Sequence, residues 1–387
     1  MNQKLRLLRL APSSSITNIY DKFKSLDLFE EVDKIDGFSE FHIRMTADGT
    51  FNGSVKLKDD FLLVENFSYF RLLKWIKIFF RAIFYIVKYR INMVHSNDIF
   101  FYGLAVIFAA KITKRPISIS LHADYDKREK LGEKMYPYRW RWLYKICEKI
   151  NYKLALKVIA TQKSWTNYLV NNGCKKEKIE YDANDIDNED VQNKKNIDIR
   201  KMFNIEKKSN LISYVGRFET GNYIDDIIKI AIDISLKHND IIFVIAGKGN
   251  FYERARKMVE EKNLKKQILL PGFVSNDCAV SLRKKSQVNL ALMGGPSLLE
   301  AMLSGVPTIA YDVEWHHEII KHGHTGYLIQ ERNVNEVINT INKILESPEK
   351  SKKIGINAIN LVNKTHSLKA AQKKRKELYQ KLMEKTT

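Results

Sequence analysis

The stretch "MGGPSLLEAMLSGVP", Met293 to Pro307, sets two glycines and a proline ahead of a short apolar run and closes it with Gly305 and Pro307. Proline at a first helical position loses nothing, because that N–H has no helical partner. Glycine followed by proline is a C-terminal stop. The pattern predicts a short helix from Pro296, with Gly294 and Gly295 allowing a close backbone approach. The amides of Ser297, Leu298 and Leu299 are expected to point out of its positive end, an arrangement that holds anions and phosphate above all. Glu300, one turn in and flanked by apolar "LLEAML", reads as a buried functional carboxylate. An ordinary strand–turn–helix corner has the same local signature, so the surrounding chain decides.

That surrounding chain alternates β-rich and helical runs. "NLISYVGRF", "IIFVIAGKGN", "QILLPGFV", "VNLALM" and "PTIAYD" are strands in the second half; "KLRLLRLAP", "INMVHS", "PISISLHAD" and "LKVIATQ" are strands in the first. This is the pattern of parallel sheets covered by helices. Three second-half strands run into glycine turns, at Gly216, at Gly247 with Gly249, and at Gly294 with Gly295. Ligands of open parallel sheets sit off the carboxyl ends of the strands, so these turns converge on one crevice. The polar, aperiodic segment 182–201 reads as a linker. The expected domains are 1–190 and 191–369, with a basic C-terminal helix over 370–387 that frays or packs back on the first.

The chain of 387 residues carries a formal charge of +20. Both halves are basic, 35 Lys and Arg against 25 Asp and Glu up to residue 200 and 30 against 20 beyond it. Three scattered cysteines suit a reducing, cytoplasmic compartment. No apolar run is long enough to span a bilayer or to serve as a signal peptide. No acidic residue lies between Glu65 and Asp98, and Tyr69–Arg90 fills that gap with aromatic, aliphatic and basic residues. Lys74, Lys77, Arg81 and Lys88 share one helical stripe, which fits either a domain helix with lysines in water or a helix lying on an anionic membrane surface. The aromatic–basic stretch 136–153 repeats the mixture. No nucleic-acid module is recognisable. His316, His317, His322 and His324 are spread over a helix end and a loop, so no metal is expected.

Taken together, "YVGRF", "IAGKGN", "LLPGFV", "PSLLEAMLSGVPTIAYD" and "EIIKHGHTGYLI" resemble the retaining nucleotide-sugar glycosyltransferases of family 4, and the likeness is strongest from Tyr214 to Leu328. The resemblance implies an α/β fold of the GT-B type, two Rossmann-like parallel-sheet domains facing across a cleft. It implies transfer of a sugar from a nucleoside-diphosphate donor to a hydroxyl of a glycan, lipid-linked at the cytoplasmic membrane face, with no further cofactor. On the donor side it points to Gly216 and Arg217 at the diphosphate, with Lys248 as a further cation. Phe273 and Val274 fall at the base, Gly294 to Leu299 at the helix cradle, and Glu300 at the ribose hydroxyls. In the first half, "VHSND" and "SLHADYD" are weaker echoes. They give His122 against the donor sugar, not as a nucleophile, and His95, Asp124 and Asp126 as acceptor-side candidates. Two positions depart from the family. Leu292 stands where a sugar-contacting Glu is usual, and Asn222, followed by Tyr223, where a lysine and a glycine are. A degenerate binding subunit or a GT-B epimerase are therefore the rival readings.

Overall fold

The computed structural model describes residues 5–11, 38–46, 53–57, 60–66, 71–130, 140–183 and 185–384. They form two compact units, Met1–Ala183 with Gln372–Thr387, and Asn184–Ala371.

In the first unit β1 (Leu5–Ala11), β2 (Phe38–Thr46), β3 (Gly53–Leu57) and β4 (Asp60–Asn66) are followed by helix α1 (Arg71–Lys88) and β5 (Met93–Ser96). Then come α2 (Phe101–Ile112), β6 (Ile117–Leu121), α3 (Tyr125–Lys130), α4 (Arg141–Leu154), β7 (Lys157–Ala160), α5 (Thr166–Asn171) and β8 (Ile179–Tyr181). The sheet order is β3-β4-β2-β1-β5-β6-β7-β8, parallel except for β3 against β4. Buried strands such as "ISISL" are apolar on both faces or carry small hydroxyls, as a sheet covered on both sides requires.

The second unit opens with α6 (Asn188–Asn193) and α7 (Ile199–Met202), capped by the side chains of Asp187 and Asp198. Beyond its first two residues, the segment expected to be a linker is thus part of this unit. The Ile197 amide donates to Ser281 Oγ, and Ser281 Oγ donates to the Lys195 carbonyl, so its polar residues satisfy local backbone. There follow β9 (Asn210–Val215), α8 (Ile224–Ser235), β10 (Ile241–Ala246), α9 (Tyr252–Glu261), β11 (Ile268–Gly272), α10 (Asn276–Lys285) and β12 (Val288–Leu290). The unit continues with α11 (Pro296–Leu303), β13 (Thr308–Tyr311), α12 (His316–Ile319), β14 (Tyr327–Ile329), α13 (Val334–Glu346) and α14 (Pro348–Thr365). All six strands are parallel in the order β11-β10-β9-β12-β13-β14. The isoleucines of α8 at 224, 227, 228 and 234 recur at helical spacing and are buried in the unit's core.

The last helix, α15 (Leu368–Glu384), does not fray over its described length: Tyr379 and Leu382 are buried with Leu7, Met93 and Ile159 of the first unit. Arg375 pairs there with Asp182.

Candidate active site

Numbered from β9, the second sheet runs 3-2-1-4-5-6, and its direction of winding reverses between β9 and β12. Ligands of doubly wound sheets bind outside the carboxyl ends of the strands at this point. A small cavity opens there, lined by Tyr214 and Val215 from β9, Ala291 and Met293 after β12, Ser297 of α11 and Arg283 of α10.

The turns around it are tied by backbone bonds. Gly216 N donates to the Ala246 carbonyl at 3.0 Å, Phe218 N to that of Lys248 at 3.0 Å, and Gly247 N to that of Gly272 at 2.8 Å. Gly247 has φ +144°, and a Cβ there would lie 1.8 Å from the Gly216 carbonyl oxygen, so only glycine fits. Above these turns the side chains of Arg217 and Lys248 are exposed. Phe273 is 78% exposed, whereas Val274 packs on a hydrophobic cluster below it. The Tyr214 hydroxyl donates to the Arg217 carbonyl at 2.9 Å, and burial pushes its pKa far up, so it stays a neutral donor.

Helix α11 starts at Pro296, and Gly305 follows it with φ +74°. Its cradle is narrower than expected. The Leu298 amide already donates to the Gly295 carbonyl at 3.1 Å, a one-turn 3₁₀ contact, and the side chains of Leu298 and Leu299 are wholly buried. Ser297 is the residue of the helix's first turn that reaches the cavity.

Glu300 is half-buried, not buried, and its Oε2 lies 2.6 Å from Arg283 Nη1, with side chains 27% and 5% exposed. Arg283 was not among the expected site residues. It is nonetheless the charged group that sets the direction of Glu300. Burial lowers the arginine's pKa and Glu300 raises it; a guanidinium stays charged under such shifts. Asn289, fully buried on β12, ties Ser213 Oγ (2.5 Å) to Ser304 Oγ (2.8 Å) beneath the pair. Leu292 is 0% exposed and sits in the core, so this position faces inward and not into the crevice. Tyr223 takes a left-handed φ of 56°, the conformation of the glycine expected there. Its hydroxyl bonds to Glu331, its ring packs edge-on to Tyr311, and Arg332 lies over it at 4.6 Å.

His316 also went unassigned in the sequence. It is buried under the Gly294–Gly295 turn, with Nδ1 2.8 Å from the Tyr311 carbonyl and Nε2 3.1 Å from the Gly294 carbonyl and 3.3 Å from the Gly294 amide. Burial holds its pKa below the ordinary value. Because the folded-state pKa is depressed, the unfolded chain takes up the proton first, and stability is intact above about pH 6.5 and declines below it. Melting temperatures across pH should show this fall, and His316→Gln should flatten it.

In the first unit His122 follows β6 and is exposed, and Asp124 is half-buried beside it. His95 does not present a free ring. It is buried and hydrogen-bonded to Ser118 (2.8 Å), Asn97 (2.8 Å) and Ser120 (3.2 Å), and Tyr379 OH lies at 3.3 Å. Asp126 is held by Lys145 at 2.8 Å; burial raises its pKa, but the bonds and charge of Lys145 outweigh this and hold it below the usual range. Both were expected on the acceptor side, and both are committed to structure. No helix among the described residues is long and apolar enough to cross a membrane.

The family model described as Glycosyl transferases group 1 matches residues 195–361, and that described as Glycosyltransferase Family 4 matches 51–189. The chain belongs to the family 4-like glycosyltransferases of GT-B fold. This glycosyltransferase is 27% identical over 150 residues to a poly(ribitol-phosphate) alpha-N-acetylglucosaminyltransferase of Staphylococcus aureus, across 38% of this chain and 30% of that one. It therefore spans under a third of that relative's length. To an uncharacterized glycosyltransferase of Methanocaldococcus jannaschii it is 25% identical over 79% of each chain. Among solved structures, Anabaena HepE in complex with UDP superposes with a TM-score of 0.73 at 16% identity, covering 97% of this chain and 100% of that one.

Proposed function

We propose that this glycosyltransferase moves a hexosyl group, with retention, from a nucleoside-diphosphate sugar to a hydroxyl of a lipid-linked glycan at the cytoplasmic face of the membrane. The observation that carries the donor half is the β9/β12 switch point. There Arg283 and Ser297 line one cavity, Arg283 pairs with Glu300, and Arg217 stands exposed in the loop that follows β9. As the bond from sugar to phosphate breaks, charge grows on the diphosphate. A guanidinium fork and a helix N-terminus stabilise that charge without needing a metal. Glu300, whose Oε2 is held by Arg283, would accept the ribose hydroxyls. Retention follows if the leaving phosphate takes the acceptor's proton on the same face. The UDP in HepE and the α-linked product in the staphylococcal relative's name agree with this reading.

A thermal-shift panel of uridine and guanosine diphosphates and their sugars tests it. A ligand that binds only the folded state raises the melting point by mass action, by about 2.7 kcal/mol of stability at a hundredfold excess over Kd. One uridine or guanosine series should stabilise the protein clearly above the other; no shift with any of them would refute the donor site. Asn222, which stands where the family has a lysine, favours a second reading, a binding subunit without chemistry. Donor binding with no turnover or hydrolysis would select it.

A further inference from the structure

Helix α1 has two apolar faces, and the described residues pack against only one. Ile78, Ala82, Tyr85 and Ile86 are buried in the first unit's core, against α2. Leu73, Ile76, Phe80, Phe84 and Val87 recur at i, i+3, i+7, i+11 and i+14 and point outward, with Phe80 63% and Val87 66% exposed. A solvated domain helix would carry polar residues here. Lys77, Arg81 and Lys88 run along one edge of this outer stripe and are exposed as well. Six basic residues and no acidic one lie between Glu65 and Asp98.

We propose that this outer face of α1 seats the protein on an anionic lipid bilayer, the phenylalanines entering the acyl boundary and the basic edge lying among the headgroups. A wide apolar stripe bordered by cations matches an interface that is apolar in depth and negative at its surface. A second copy of the chain fits less well. In a two-fold interface the same patch meets itself, so the basic edges would be buried in one interface of like charge. Nucleic acid would satisfy the cations and leave the phenylalanines in water.

Flotation of the full chain with vesicles tests this without any nucleotide sugar, so it stands or falls separately from the donor site. The protein should float with phosphatidylcholine vesicles containing phosphatidylglycerol at low salt, and much less with phosphatidylcholine alone or at high salt. Each of Lys77→Gln, Arg81→Gln and Lys88→Gln should weaken binding about fivefold. Phe80→Glu with Phe84→Glu should abolish it with an unchanged melting temperature, since neither ring is in the core. Three results would overturn the proposal. They are no flotation with anionic vesicles at low salt, undiminished flotation of the double glutamate variant, or a stable dimer in sedimentation that Phe80→Glu dissociates.

Discussion

Arg217→Ala is expected to lower transfer about a hundredfold to a thousandfold, the range seen when one preorganised donor to a developing anion is removed. The melting temperature should hold. The side chain is exposed, and the bond its residue does supply to the fold comes from the backbone carbonyl, which accepts Tyr214 OH and survives the substitution. Arg217→Lys should recover only part of the loss, because an ammonium cannot bridge two phosphate oxygens in one plane. The effect is expected in kcat as well as in kcat/KM, since the charge it meets is larger in the transition state than in the bound donor. The exposed Lys248 is the cation nearest in role, and its alanine variant should cost less. Activity unchanged in Arg217→Ala would remove the diphosphate from this loop.

Arg283→Met should be costlier for the fold and act on a different kinetic quantity. Removing one member of a largely buried ion pair destabilises by about 3–5 kcal/mol, and the partial exposure of Glu300 puts the expectation at the low end. Freed of its partner, Glu300 loses its fixed rotamer, so the KM for the donor should rise more than kcat falls. The double variant Arg283→Met, Glu300→Leu separates the two effects. It leaves no unpaired charge, so most of the stability should return while donor affinity does not. Melting curves and donor titrations of the single and double variants give both numbers. Return of affinity with stability would make the pair purely structural.

The sequence made the second sheet readable for a physical reason: its strands are short buried apolar runs, three of which it showed ending in glycine turns, and the helix between Pro296 and Gly305 is punctuated at both ends. Family likeness added the positions of Arg217, in the loop after β9, and Glu300, on the helix after β12. Arg283 was hidden because it ends α10 in "RKK", where cations at a helix C-terminus are expected anyway. Only the return of the chain through β12 brings it to Glu300. His316 was hidden among four nearby histidines that looked alike. Leu292 read as an altered sugar contact, but its side chain faces the core, a matter of register that a lone position does not reveal. The strands β2 to β4 lacked glycine-ended apolar runs and were not foreseen. His95 was placed correctly on its strand and Asp126 was not foreseen on α3, and their hydrogen-bond partners come from β6, α4 and α15, far off in the chain.

Hydrogen–deuterium exchange with and without the nucleoside diphosphate that stabilises the protein most tests the central claim directly. Protection should rise in the peptides holding residues 215–220 and 293–300, the two loops that flank the β9/β12 switch point. Binding with protection elsewhere and none in these two segments would contradict the account.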